Sequence, residues 1–295
     1  MILVTGGTGF IGQKLVSTLV SLGYPVRLLM NPSTTSPQLP RGVPVDIAIS
    51  AIQDERNLRA AMKDIQIVFH LISTEWHGIN AEFSQVDVPA AASLSRVAKE
   101  MQVKRFFFLS HIGADRSSAY RSMQAKALAE AEIIASGVPY TIIRSGVVFG
   151  EGDHFTETIA GFMRSFPLVF PIPAGGDTQI QPIWVDDLIT VILLCLDDEN
   201  TINRIFPVGG MEVLSFREVC ALVAEKIGSK KKFFDLSPVS YRSLVIALEQ
   251  WFPRLPRMYF WTDYLAENRI TTLDSVSRTF FLIPTRIGQY IQYSK

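Results

Sequence analysis

The sequence predicts an α/β fold, a doubly wound parallel sheet with a smaller, mostly helical lobe at the C-terminus. Three observations predict it. Short apolar runs alternate with amphipathic segments through the first 150 residues, the rhythm of strands joined by crossover helices. The opening run ends in a glycine cluster, "TGGTGFIG", directly ahead of a helical stripe. After residue 150 the rhythm loosens, and aromatics and prolines gather over 238–270. Right-handed crossovers then place helices on both faces of the sheet.

"MILVTG" reads as a short buried strand. Residues 10–22 set Phe10, Ile11, Leu15, Val16, Leu19 and Leu22 on one helical stripe, and Gly23 ends it. "PVRLLM" (25–30) is a second strand, and 31–44 is a turn-rich loop. "VDIAIS" is a third strand, "DERNLRAAMKD" a helix with an acidic start, and "IQIVFHLIS" a fourth strand. A helix over 88–102 leads to "RFFFLS" (105–110), and one over 121–136 leads to "YTIIRSGVVFG" (140–150). Farther on, "HFTETIAGFMRSF" is helical, and "QIQPIWVDDLITVILLCLDD" is a strand entering a helix that Asp186 or Asp187 caps. "RIFPVGG" is a strand ahead of a Ser-started helix, "LSFREVCALVAEKIG". No repeat or linker divides the chain. Residues 1–150 read as the nucleotide-binding core, its sheet completed by parts of 178–210, and 151–295 as a substrate or partner lobe that does not fold alone.

Bulk properties narrow the function. Lys plus Arg equals Asp plus Glu, 28 each, among 295 residues, so no global field favours nucleic acid. The run "KKK" at 230–232 reads as a solvated helix end. Cys195 and Cys220 lie in apolar helical runs and read as buried thiols of a reducing compartment. The four histidines lack ligand spacing, so no metal site is expected. The start reads as a strand rather than a charged leader, and the longest apolar run, 188–196, is too short to span a bilayer. The chain is therefore read as cytoplasmic. Its mean hydropathy of +0.23 leaves apolar surface for a protein partner or a peripheral place on a membrane.

Gly6, Gly9 and Gly12 are spaced G-x-x-G-x-x-G between a strand and a helix. The first allows a tight turn, the second a close approach of backbone N–H groups to a pyrophosphate, and the third close helix–strand packing. The helix N-terminus adds unpaired N–H groups and partial positive charge. In this context the cluster, with Thr8, Phe10 and Ile11, predicts a dinucleotide site of Rossmann type. At the end of the second strand, an acid favours a free ribose 2′-hydroxyl and an Arg a 2′-phosphate. Asn31 is neither; with Ser33 and Thr34 it suits both, and Arg27 lies inside the strand. NAD and NADP both remain open.

"TGGTGFIG", "VKRFFFLS" (103–110), "SGVPYTIIRSGVVFG" (136–150), "QPIWVDDL" (181–188) and "FPVGG" before "LSFREV" occur in that order. Together they resemble the extended and atypical short-chain dehydrogenases/reductases. The likeness is closest to the branch containing epimerase-like proteins and the nucleotide-binding accessory subunit of respiratory complex I, with "NRITTLDSVSRTFFLIPTRIGQYI" (268–291) adding to it. The resemblance implies a nicotinamide cofactor over the carboxyl ends of the strands. It places Ser50, Ala51 and Ile52 at the adenine and Leu71, Ile72 and Ser73 along the cofactor's middle. It also implies a Ser or Thr, a Tyr, and a Lys four residues after the Tyr on one helix.

That last pattern is broken here. Lys126 is the natural lysine, but Ser122 stands four residues before it, and Tyr120 is six residues away. Six residues turn an ideal helix by about 600°, to the far side. Ser110 ends the fifth strand, while His111 occupies the usual Ser/Thr position and carries a proton-donating ring. Lys126, Tyr120, Ser110 and His111 are the catalytic candidates, with Lys126 also holding the nicotinamide ribose. The competing reading of Lys126 is a surface pair with Glu130. Trp184 reads as core, and His154 as a solvated loop residue.

Two functions follow. One is an NAD(P)-dependent oxidoreductase or epimerase-like enzyme acting on a small molecule. The other is a non-catalytic nucleotide-binding scaffold, docked through 241–261, "YRSLVIALEQWFPRLPRMYFW", on a larger, membrane-associated assembly.

Overall fold

A computed structural model describes residues 1–32, 42–165, 169–230, 232–252 and 257–293. β1 (Ile2–Thr5) is wholly buried inside a seven-stranded sheet. On one side it pairs with β2 (Val26–Met30), which pairs with the edge strand β3 (Asp46–Ile49). On the other lie β4 (Ile67–His70), β5 (Arg105–His111), β6 (Tyr140–Ser145) and finally the strand Arg204–Val208. All six pairings are parallel. The chain order reverses between β1 and β4, and a crevice opens outside the carboxyl ends of strands at such a point.

The alternation of side chains along β1 separates two cores. Ile2 and Val4 pack with Leu15, Val16 and Leu19 of α1 (Phe10–Ser21), Phe69, and Leu188 and Ile192 of the later helix Val185–Asp197. Leu3 faces the opposite side with Val68, Phe106, Leu58 of α2 (Glu55–Ala61), Leu94 and Val97 of α3 (Val88–Glu100), and Ile133 of α4 (Arg121–Ser136). Each buried Leu or Val side chain contributes about 1.5–3 kcal/mol.

The remaining helices are α5 (Thr156–Ser165), α6 (Val185–Asp197), α7 (Phe216–Lys226), α8 (Pro238–Trp251), α9 (Tyr259–Tyr264), α10 (Ser275–Phe280) and α11 (Ile287–Tyr293). α5, α7, α8 and α9 enclose a third core rich in Phe155, Phe216, Tyr241, Trp261 and Tyr264. Ser215 and Glu218 form a reciprocal capping box at α7.

One local expectation is corrected. Neither Asp186 nor Asp187 caps α6; Trp184 occupies that position without a side-chain cap. Asp186 instead pairs with Lys14 at 2.6 Å, and Asp187 accepts the Thr285 N–H at 2.6 Å. Between β4 and α3 the chain coils twice, in a 3-10 turn (Glu75–Asn80) and a π-helical turn (Phe83–Asp87), where sequence periodicity marks nothing. Both cysteines are buried, and burial pushes the Cys195 thiol up to about 12. Among the described residues no helix is long and apolar enough to cross a membrane.

Candidate functional site

The turn after β1 needs glycine for two different reasons. Gly6 has φ +74°, and a Cβ there would lie 2.9 Å from the Leu71 carbonyl carbon. A Cβ at Gly12 would lie 2.1 Å from the Gly6 oxygen, so the packing of α1 on the turn requires its absence. Gly9 differs. It is the α1 N-cap at φ −76°, ψ 171°, and a Cβ would meet only the Gly6 oxygen, at an ordinary 3.4 Å. The protein itself leaves room at Gly9. No side chain caps α1, so its first-turn N–H groups are free of side-chain acceptors and face outward with the helix's positive end. Thr8 does not cap either; its carbonyl accepts from Gln13 Nε2 at 2.7 Å. This cradle fits a pyrophosphate.

From the cradle a cavity of about 360 Å³ runs along the strand ends. That volume is at the lower end of the roughly 300–1,000 Å³ usual for ligand pockets. Gly6, Thr8, Gly9, Phe10, Ile11 and Gly12 line its mouth, and Leu71, Ile72 and Ser73 its middle. Lys126 and His111 line its inner end. Of the predicted site residues, these eleven are brought together.

The others are elsewhere. Tyr120 is the N-cap of α4 and packs against the C-terminal core, its ring 5.9 Å beneath the Arg269 guanidinium. Ser110 is turned into the sheet's far side, where its hydroxyl donates to Glu130 at 2.5 Å. Glu130 also takes a forked pair of bonds from Arg144, at 2.9 and 2.6 Å, so it does not pair with Lys126. Asn31 and Ala51 are exposed, and Ile52 belongs to the core under α2 and α3; none of the three lines the cavity. Arg27 points to the opposite end of its strand, bound to Asp46 at 2.7 Å and to the carbonyls of Ala61 and Lys63. Ser33 and Thr34 lie outside the described residues.

Lys126 is buried, 7% exposed. Its ammonium lies 5.5 Å from the Phe108 ring centre and donates a long bond, 3.4 Å, to the Leu109 carbonyl. A hydroxyl-bearing ligand satisfies such a group better than this carbonyl does. One turn earlier, at the place of the missing tyrosine, the Ser122 hydroxyl is buried without a protein partner.

Sequence reasoning missed the groups that complete the cavity. Glu75 lies in the 3-10 turn, its carboxylate 2.8 Å from His111 Nε2. Burial alone would raise its pKa. His111 and Lys126 facing it, with hydrogen bonds from His111 and Ser73, outweigh burial and hold it down at about 2. Beneath, the His70 ring is wholly buried and bonded to the Thr5 hydroxyl at 2.8 Å. Burial, with Lys126 nearby, depresses it to about 3, so it is neutral.

The roof is aromatic. Trp76 stacks on His154 at 4.8 Å and tilts against Phe260 and Trp261 at 4.8 and 5.7 Å. His154 lines the cavity from an exposed loop position. His111 sits 5.8 Å from Phe260 and 6.0 Å from Tyr264. One buried carboxylate anchors this roof. Glu249 of α8 accepts the N–H groups of Ile79 at 2.9 Å, Met258 at 2.6 Å and Tyr259 at 2.7 Å. Gly78, at φ +66°, allows it, because a Cβ there would lie 2.1 Å from the Glu249 oxygen. The 241–261 segment therefore has two faces: Tyr241, Val245 and Glu249 turn inward, while Trp251 and Phe252 are 78% and 58% exposed. Residues 253–256 of it lie outside the described residues.

Comparison with known proteins fits this geometry. A family described as NAD(P)H-binding matches residues 6–160. The chain is 28% identical to the mitochondrial NADH dehydrogenase [ubiquinone] 1 alpha subcomplex subunit 9 of Arabidopsis thaliana, over 79% of this chain and 59% of that one. For the Mus musculus subunit the identity is 30%, over 54% and 42%. The chain thus spans about half the length of these relatives. It is 30% identical to phenylcoumaran benzylic ether reductase Betv6 of Betula pendula, over 77% of this chain and 74% of that one. The fold matches an NADPH-dependent quinone oxidoreductase of Escherichia coli complexed with NADPH, with TM-score 0.78, 16% identity and 99% of each chain covered. It also matches a UDP-glucose 4-epimerase of Thermotoga maritima, with TM-score 0.74, 19% identity, and 99% and 96% covered. The chain belongs to the NAD(P)H-binding family and is an NAD(P)-binding protein.

Proposed function

We propose that the chain is an NAD(P)-dependent oxidoreductase of a small molecule, with its proton donor displaced from the usual helix to the end of β5. The observation that carries this reading is that Lys126 and His111 open onto the same cavity as the glycine cradle. Residues 1–150 with the strand Arg204–Val208 form the cofactor core, and 151–295 the lobe that closes on the substrate. The cradle N–H groups hold the pyrophosphate, and Lys126 holds the nicotinamide ribose. When bound, the reduced nicotinamide supplies a hydride to a substrate carbon and is left oxidised. His111 gives a proton to the substrate oxygen, so a carbonyl becomes an alcohol. Such general acids contribute about 10²–10⁴-fold. The test is NADPH consumption with a panel of carbonyl and quinone probes. Turnover that survives His111→Phe would overturn the assignment of the donor, and no turnover by the wild type would overturn the enzyme reading.

A second reading has its own observation. Tyr120 and Ser110 are turned away, and complex I subunits are among the relatives. On this reading the nucleotide is held for structure, and the exposed Trp251 and Phe252 face a protein partner in a membrane-associated assembly. Tight cofactor retention without multiple turnovers supports it.

A further inference from the structure

Glu75 has no place in the Ser, Tyr and Lys pattern, yet it is the closest charged partner of His111. Their side chains are 8% and 12% exposed. Placing two charges out of water is costly, and such pairs persist where the geometry has a use. The pair is also asymmetric. Nε2 of His111 is engaged by Glu75, whereas Nδ1 is buried without any protein partner. A buried polar atom without a partner calls for one, and the ring that carries it lines the cavity.

The surroundings show why a carboxylate is needed. Lys126, on α4, faces the same inner end and disfavours a second cation there. His70, on β4, is neutral and offers no compensation. On the other side Tyr264 of α9 lies against the ring with Arg269 behind it, and His154 closes the cavity from the loop before α5. Among these groups Glu75 alone is an anion.

We propose that Glu75 is a positioning residue: its carboxylate holds Nε2–H of a charged His111 and leaves Nδ1–H for the substrate oxygen. This rests on the oxidoreductase reading above. In the step, the Nδ1 proton moves to the substrate oxygen as the carbon accepts hydride from NAD(P)H. The ring is left neutral, with Nε2–H still on Glu75, and solvent returns the proton. Glu75 takes no part in bond making.

The experiment uses the full chain with 15N-labelled histidine. The four histidines are separated by comparison with His111→Gln. The wild-type His111 ring is expected to keep its second proton over a wider pH range than the ring in Glu75→Gln, with Glu75→Asp in between. Calorimetric uptake of NADPH by each variant certifies its fold. A second arm follows NADPH oxidation by 9,10-phenanthrenequinone against pH. Loss of one opposite charge should move the alkaline limb of kcat toward acid by about one unit in Glu75→Gln. A merely structural role lowers kcat equally at every pH, and that result, or a His111 ring of unchanged charge, overturns the proposal. If the wild type binds NADPH but reduces nothing, the oxidoreductase reading fails, and the ring-charge arm alone decides whether Glu75 governs His111.

Discussion

Replacing Gly9 with alanine separates what a ligand requires of the glycine turn from what the fold requires. At φ −76° and ψ 171° alanine is unstrained, and its Cβ would meet only the Gly6 oxygen at 3.4 Å. The ligand-free protein should therefore keep its stability to within about 0.5 kcal/mol. Gly12→Ala is the contrasting case. Its Cβ would lie 2.1 Å from the same oxygen, and relieving such a clash costs about 1–3 kcal/mol. The methyl at position 9 instead occupies space needed by the pyrophosphate. An overpacking penalty of about 2 kcal/mol falls on binding, roughly a 30-fold rise in Kd. At a cofactor concentration 100 times the wild-type Kd, ligand stabilisation is about 2.7 kcal/mol. It falls to about 0.9 kcal/mol in Gly9→Ala. For a chain of this size the cofactor-induced rise in Tm drops from about 5 °C to about 2 °C. Thermal scans with and without NADPH, paired with calorimetry, measure both quantities. An unchanged Kd, or a ligand-free Tm as low as that of Gly12→Ala, would refute the placement of the pyrophosphate.

Three further outcomes are expected. Lys126→Ala should weaken NADPH binding by about tenfold, equivalent to one charge-assisted hydrogen bond; calorimetry giving equal dissociation constants would remove Lys126 from the site. Glu249→Gln keeps the shape but loses the charge that three N–H groups share. Chemical denaturation should show a loss of about 2–3 kcal/mol, and a neutral result would mean that the roof is anchored otherwise. His70 takes up a proton at 6.5 when unfolded but only at about 3 when folded. The unfolded state thus binds more protons between those values, and stability falls as pH drops through that window. From pH 7 to pH 5 the loss is about 2 kcal/mol. Urea titrations should find that part of the slope missing in His70→Gln; an identical slope in both proteins would contradict the burial of a neutral ring. The range from pH 7 to pH 5 lies above the Glu75 contribution, which is lost only as pH falls from 4.5 toward about 2.

The sheet was legible because its signals are local. Ile2, Val4 and Leu15 announce their faces by period alone, Gly12 is fixed by a contact within one turn, and Gly6 by its own φ of +74°. The cradle was legible for the same reason. The inner end of the site was not. Glu75 and Trp76 sit in a coil without periodicity, and Phe260 and Tyr264 reach the cavity from another part of the chain. No spacing rule links Glu75 to His111, 36 residues later. Motif order singles out Lys126, which lines the cavity, whereas backbone placement that spacing does not encode turns Tyr120 and Ser110 elsewhere. Asn31 and Ala51 were inferred from strand ends, and the cavity does not extend to them.

The bond between Ile79 and Glu249 joins positions 170 residues apart, and this has a consequence for synthesis. The cradle, His111 and Lys126 leave the ribosome first, and Glu249 follows 123 residues after Lys126 (249 − 126). At ordinary translation speed that interval is roughly 6–25 s. Through it the emerging polypeptide carries the binding floor without its cover. The enclosed cavity is thus a property of the finished chain, fixed only when the last fifth of it supplies Glu249.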